Sequence, residues 1–217
     1  LVDTHIHGFG GVDVMDNNIE GTLHTMSDGL LTTGVTSFLP TTLTSSYELL
    51  LAVTENIGAR YQEATGAKIR GLYFEGPYFT EKYKGAQNPS YMKDPRMDEF
   101  RAWQKASNGL LNKIALAPER NGVEEFVRTI TDEGVTVALG HSDATFDQAK
   151  AAVEAGASVW VHAYNGMRGL THRELGMVGA MYELPHTYAE LICDGHHVDP
   201  KACDILIKQK GHENIAL

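Results

Sequence analysis

The chain has 217 residues, 42% of them hydrophobic and 21% charged, and carries a formal net charge of −10. An acidic chain of this kind argues against nucleic acid as a partner, since phosphate binding needs a basic face. No apolar run approaches the roughly 20 residues of a membrane span, and no stretch of the given residues reads as a signal peptide.

Short apolar strands alternate with helical or looped segments along the whole length. The first strand, Leu1–His5, runs into His7 and then Gly8, Gly10 and Gly11. Residues two apart on a strand share a side, so His5 and His7 can be aimed at one point. Ile19, Leu23, Met26 and Leu30 follow at helical spacing, with Gly34 as the stop. Val35–Pro40 is the second strand. Ser45 with Glu48 reads as a capping box, opening a helix that carries Leu49, Val53 and Ile57.

Ile69–Glu75 is the third strand, and a long polar loop from Tyr78 to Lys93 follows it. Asp94-Pro95 is expected to cap the next helix, which Asn108-Gly109 stops. Ile114–Ala117 is the fourth strand, and Val123, Phe126, Val127 and Ile130 then lie on one helical face. Val135–Leu139, the fifth strand, leads to Gly140-His141-Ser142. The helix after it carries Phe146, Ala149 and Val153 inward. Ser158–Val161, the sixth strand, ends at His162, and a second long loop covers Ala163 to Pro185. Tyr188–Cys193, the seventh strand, ends in Asp194-Gly195-His196-His197; Asp199-Pro200 caps a last helix, and Asn214–Leu217 starts an eighth strand.

Eight strands with seven crossovers is the arithmetic of an α/β fold of the (β/α)8 barrel type, with residues 1–217 as one domain. A doubly wound sheet would carry G-x-G-x-x-G after its first strand, and Gly8, Gly10 and Gly11 do not fit that spacing. The start inside a strand, without Met, reads as a piece of a longer protein. Cys193 and Cys203 fit no disulfide or thiolate-metal spacing and are expected to be reduced core thiols of a cytoplasmic protein.

Barrel residues at the C-terminal strand ends converge on one face. Those ends carry His5 and His7, Glu75, His141, His162, and the run Asp194, His196 and His197. Imidazole and carboxylate are donors that suit zinc and related ions. A single such residue would read as a satisfied core group. Ligand-type side chains at five of seven strand ends point to a metal site. His24, His172, His186 and His212 fall in a helix or in loops and read as solvated.

The motifs Glu75-Gly76-Pro77-Tyr78, Lys84-Gly85-Ala86-Gln87-Asn88-Pro89, Gly140-His141-Ser142-Asp143-Ala144, His162-Ala163-Tyr164-Asn165-Gly166-Met167, Arg173-Glu174-Leu175-Gly176 and Asp194-Gly195-His196-His197-Val198-Asp199, with His5-x-His7 before them, carry a resemblance. Together they resemble the N-acetylglucosamine-6-phosphate deacetylase family within the amidohydrolase superfamily, from Leu1 to Leu217. The resemblance implies a barrel truncated near strand eight and lacking a small flanking β-sandwich. It implies a divalent ion, zinc foremost, on Glu75, His141 and His162, with His5 and His7 available for a second. Substrate contacts carry over to Ala86, Gln87, Asn165, Gly166, Arg173, Asp194, Gly195, His196 and His197; some members have His where Gln87 stands. The acid–base aspartate would follow Leu217. The implied reaction is hydrolysis of the acetamide of a phosphorylated amino sugar, giving the free amine and acetate in amino-sugar catabolism, by a homodimer. The alternatives are another amidohydrolase, acting on a cyclic or acyl amide, and a non-catalytic fragment that binds metal and sugar phosphate. The first is disfavoured because Glu75 stands where those enzymes use a later-strand lysine.

Overall fold

A computed structural model describes residues 1–16 and 19–217. The strands are β1 Val2–Ile6, β2 Gly8–Phe9, β3 Val12–Asp13, β4 Ser37–Thr42, β5 Lys68–Ile69, β6 Leu72–Glu75, β7 Leu111–Leu116, β8 Thr136–Leu139, β9 Val159–Trp160, β10 Tyr188–Glu190 and β11 Ile215–Ala216. The helices are α1 Ile19–Leu31, α2 Tyr47–Arg60, α3 Met97–Ala106, α4 Val123–Asp132, α5 Phe146–Glu154, α6 Gly176–Glu183 and α7 Pro200–Lys210. Strands followed by helical crossovers, with parallel pairing, make this an α/β protein.

The chain divides into two compact units. The first comprises Leu1–Pro77 and Arg96–Ile114. Its strand order is β1-β4-β6-β7, with β5 alongside β4. All six residues of β4 are buried, as are all four of β6, the pattern of strands covered on both faces. Phe74 and Tyr47 pack on Trp103 of α3, with ring centroids 5.0 and 5.8 Å away.

The second unit comprises Tyr78–Pro95 and Ala115–Leu217. Here β8, β9, β10 and β11 pair in sequence, all parallel. The sides of α4 and α5 that carry Val123, Phe126, Val127, Ile130, Ala149 and Ala152 are buried. Trp160 is fully buried and satisfies its indole N–H on Thr187 Oγ1 at 2.9 Å.

The strand–helix alternation follows the expected order, and several local expectations are corrected. The N-cap of α2 is Ser46, whose hydroxyl accepts from Leu49 N, so Ser45 and Glu48 form no capping box. Asp94 does not cap α3. Its carboxylate is taken by Asn121 and by the Arg120 guanidinium, and the helix starts at Met97 after Arg96. The expected third strand is broken into β5 and β6 at Gly71, where a Cβ would stand 2.1 Å from the Asn112 amide. The long loop before Pro185 contains α6, and Gly8–Asp13 folds as the β2–β3 hairpin. Regular β10 stops at Glu190, and the cysteines are not core residues: Cys193 is exposed and Cys203 half-buried. Leu49, Phe146 and Val153 are likewise half-buried, and Leu50, Ala149 and Ala152 hold the inward positions.

Candidate metal centre

In the first unit the strand ends deliver His5, His7 and Glu75 to one place. Their ligating atoms lie within 4.8 Å of one another. His5 Nε2 stands 3.3 Å from His7 Nε2 and 3.5 Å from Glu75 Oε1, and His7 Nε2 is 3.2 Å from Glu75 Oε2. Glu75 is only 3% exposed. Burying a carboxylate needs a compensating positive partner. Two things aim the imidazoles. The β1 register slips between Asp3 and Ile6, where Ile6 N turns to Thr41 Oγ1. The His7 ring then donates from Nδ1 to Thr41 O at 3.1 Å.

In the second unit His141 follows β8 and His162 follows β9. Both have positive φ, 46° and 29°, a region that non-glycine residues enter at an energetic cost and keep only where the surroundings hold them. Each ring is anchored by Nδ1 on a backbone carbonyl, His141 on Tyr83 O at 2.8 Å and His162 on Asn165 O at 3.0 Å. A carbonyl only accepts, so Nδ1 carries the proton and Nε2 of the neutral ring presents its lone pair. The two Nε2 atoms face each other at 3.1 Å. Opposed lone pairs at that distance repel unless positive charge lies between them. A divalent ion, or a proton shared by the two nitrogens, would supply that charge, and backbone carbonyls are the outer-shell partners that metal-ligating histidines use. The donor set, imidazole and carboxylate, is one that fits zinc.

The loops around these histidines are tied together. Ser142 N donates to Gly166 O at 3.0 Å, and Arg168 N to Ser142 O at 3.0 Å. Glu119 was not singled out by its sequence context beyond ending the fourth strand. It accepts from Thr80 Oγ1 at 2.5 Å, Ser142 Oγ at 2.7 Å and Asp143 N at 2.7 Å. It therefore holds the segments after β6 and β8 at fixed positions. The signal in the sequence was a carboxylate just beyond the strand, Pro118-Glu119.

Gly85 and Gly166 border the His141 ring. A Cβ at Gly85 would come 3.3 Å from its Cε1, and one at Gly166 would come 3.1 Å from its Nδ1. Gln87 is buried and Ala86 is exposed. The Asn165 amide donates to His162 O and Ala163 O, shaping its own turn. Arg173 lies exposed on the Thr171–Glu174 turn, whereas Arg168 reaches Asp143 O at 3.1 Å and Glu174.

Asp194, Gly195, His196 and His197 form an exposed turn after β10. Asp194 accepts from His196 N at 2.8 Å and His197 N at 2.9 Å through one oxygen, and from the His197 ring at 2.6 Å through the other. Those backbone donors, with the His197 ring, hold its carboxyl far below the usual carboxylate range. Its first task is thus to order the turn that presents His197.

No protein-family model matches the chain. It is 45% identical over 206 residues to the N-acetylglucosamine-6-phosphate deacetylase of Vibrio furnissii, covering 94% of this chain and 51% of that protein. It is 43% identical over 205 residues to the N-acetylgalactosamine-6-phosphate deacetylase of Escherichia coli O157:H7, covering 94% of this chain and 54% of that one. The crystal structure of N-acetylglucosamine-6-phosphate deacetylase from Pasteurella multocida superimposes with a TM-score of 0.90 at 31% identity, over 99% of this chain and 56% of that one. A mutant of the Mycobacterium smegmatis N-acetyl-D-glucosamine-6-phosphate deacetylase, in complex with N-acetyl-D-glucosamine-6-phosphate, gives a TM-score of 0.90 at 30% identity, over 100% of this chain and 56% of that one. The chain spans about half the length of the curated relatives it matches.

Proposed function

The chain belongs to the family of N-acetylglucosamine-6-phosphate deacetylases, and on that premise we propose that it forms the metal-binding part of a hydrolase that removes the acetyl group from a phosphorylated amino sugar. The observation that carries the reading is the opposed Nε2 pair of His141 and His162, with both rings anchored through Nδ1. In this reading the family resemblance assigns Glu75, His141 and His162 to the first ion, and His5 and His7 to a second. The ion is zinc.

When bound, the ion polarises the acetamide carbonyl and lowers the pKa of water towards neutrality. The remaining work falls to this chain. Tyr83 O and Asn165 O fix the two imidazoles so that Nε2 alone faces the reacting centre. Gly85 and Gly166 keep the space beside His141 clear of side chains. Ala86, Gln87 and Asn165 line the acyl and sugar side of the substrate. Arg173 and His197 receive its phosphate, giving the local positive charge that an acidic protein needs for an anion, and His196 is a further substrate contact. Asp194 and Gly195 set the turn on which His196 and His197 ride. Two copies pair as a homodimer in the cytoplasm.

A second substrate, the galacto epimer, is favoured by the 43% identity to an N-acetylgalactosamine-6-phosphate deacetylase, close to the 45% of the gluco relative. The test is acetate release by the intact protein from each epimer, after chelation and after zinc is restored. Release that needs zinc supports the reading, and the faster epimer is the substrate. No release from either, with zinc bound and sugar phosphate still captured, contradicts it in favour of a binding role.

A further inference from the structure

Lys113, on β7, is only 5% exposed. A lysine is strongly hydrated in water and is buried only where something compensates its charge. Its Nζ lies 4.1 Å above the centre of the Tyr73 ring, a cation–π contact, and 3.4 Å from Thr4 O. Both contacts lead to the metal cluster of the first unit. Thr4 precedes His5, at the slipped register of β1. The Tyr73 ring is buried and meets the His5 ring edge-on, with centroids 4.9 Å apart. Tyr73 also stands two residues before Glu75 on β6, so the two side chains leave the strand on the same side. A buried ammonium thus sits one phenol ring from a cluster of one carboxylate and two imidazoles.

We propose that Lys113 is a built-in counter-charge to the His5–His7–Glu75 cluster, weakening that cluster's hold on a divalent ion so that it fills after the His141–His162 site. The proposal rests on the reading that these residues bind metal. The ammonium repels an incoming dication through a low-dielectric path, and it stabilises Glu75 when that position carries no ion. Lys113 is a positioning residue for charge; it touches neither ion nor substrate.

The experiment compares the intact wild-type protein with Lys113→Gln, which keeps a donor for Thr4 O but loses the charge, and Lys113→Arg, which keeps the charge. Each is stripped with a chelator and titrated with zinc alone by calorimetry, with bound zinc counted by atomic emission. The expected result is a second zinc ion held about tenfold or more tightly in Lys113→Gln, with Lys113→Arg like wild type. Second-ion affinity that is unchanged or weaker in Lys113→Gln overturns the proposal. Equal tightening in both variants also overturns it, because shape and not charge would then be responsible. If Lys113→Gln does not fold, Lys113→Met is read in the same way. A wild-type protein that binds no zinc at all contradicts the metal reading itself, whereas normal binding of the first ion with no effect on the second contradicts only the role of Lys113.

Discussion

At the scale of single residues, the candidate centre depends on which nitrogen of each histidine is free. Tyr83 O and Asn165 O settle that for His141 and His162 by taking Nδ1. Gly166, at φ +62°, lies where a methyl group would press on both His141 Nδ1 and Tyr83 O. Gly166→Ala should therefore cost about 1 kcal/mol in backbone strain and turn the His141 ring. The expected outcome is roughly fivefold weaker zinc binding, the equivalent of that free energy, with an unchanged circular dichroism spectrum. Asp194 gives a pH test. Its folded pKa is depressed, so its contribution is fully present above the ordinary carboxylate pKa of about 4 and is lost as pH falls towards the folded value. Asp194→Asn should flatten the acid limb of the stability curve below about pH 4, measured by urea midpoint against pH. The ligand-type residues were legible in the sequence because strand ends are marked by apolar runs that stop abruptly. Glu119 was less so, since its partners Thr80, Ser142 and Asp143 come from other loops.

At the scale of elements, the helices with one apolar face were legible from periodicity, α4 above all. The α6 helix was not. Its first six residues, Gly176 to Met181, are all buried, so it shows no polar face to set the period, and its glycines read as loop. The β2–β3 hairpin is two residues per strand and too short for any pattern. Cap assignments failed where two candidates lie side by side. Ser45 and Ser46 differ only in which hydroxyl reaches Leu49 N, and the chain path decides it for Ser46. Ser46→Ala should lower stability by about 1 kcal/mol, and Ser45→Ala by much less, measured by denaturant midpoint. A loss equal in both would show that the helix begins one residue earlier.

At the scale of the whole molecule, no helix among the described residues is long and apolar enough to cross a membrane. The alternation of strand and helix, read from the sequence, agrees with TM-scores of 0.90 to solved deacetylases. An excess of ten negative charges argues against a general affinity for phosphates, so the proposed sugar-phosphate binding would rest on a few cations and backbone donors. The central claim is that Glu75, His141 and His162 hold the principal ion. The most direct measurement is zinc content after dialysis of the intact wild-type protein, Glu75→Ala and His141→Ala, each shown to be folded. Glu75→Ala should retain less than about a tenth of the wild-type metal, and His141→Ala should lose the more tightly held ion, as expected when one ligand is removed from a small donor set. Wild-type zinc content in both variants would contradict the account and place the ion elsewhere.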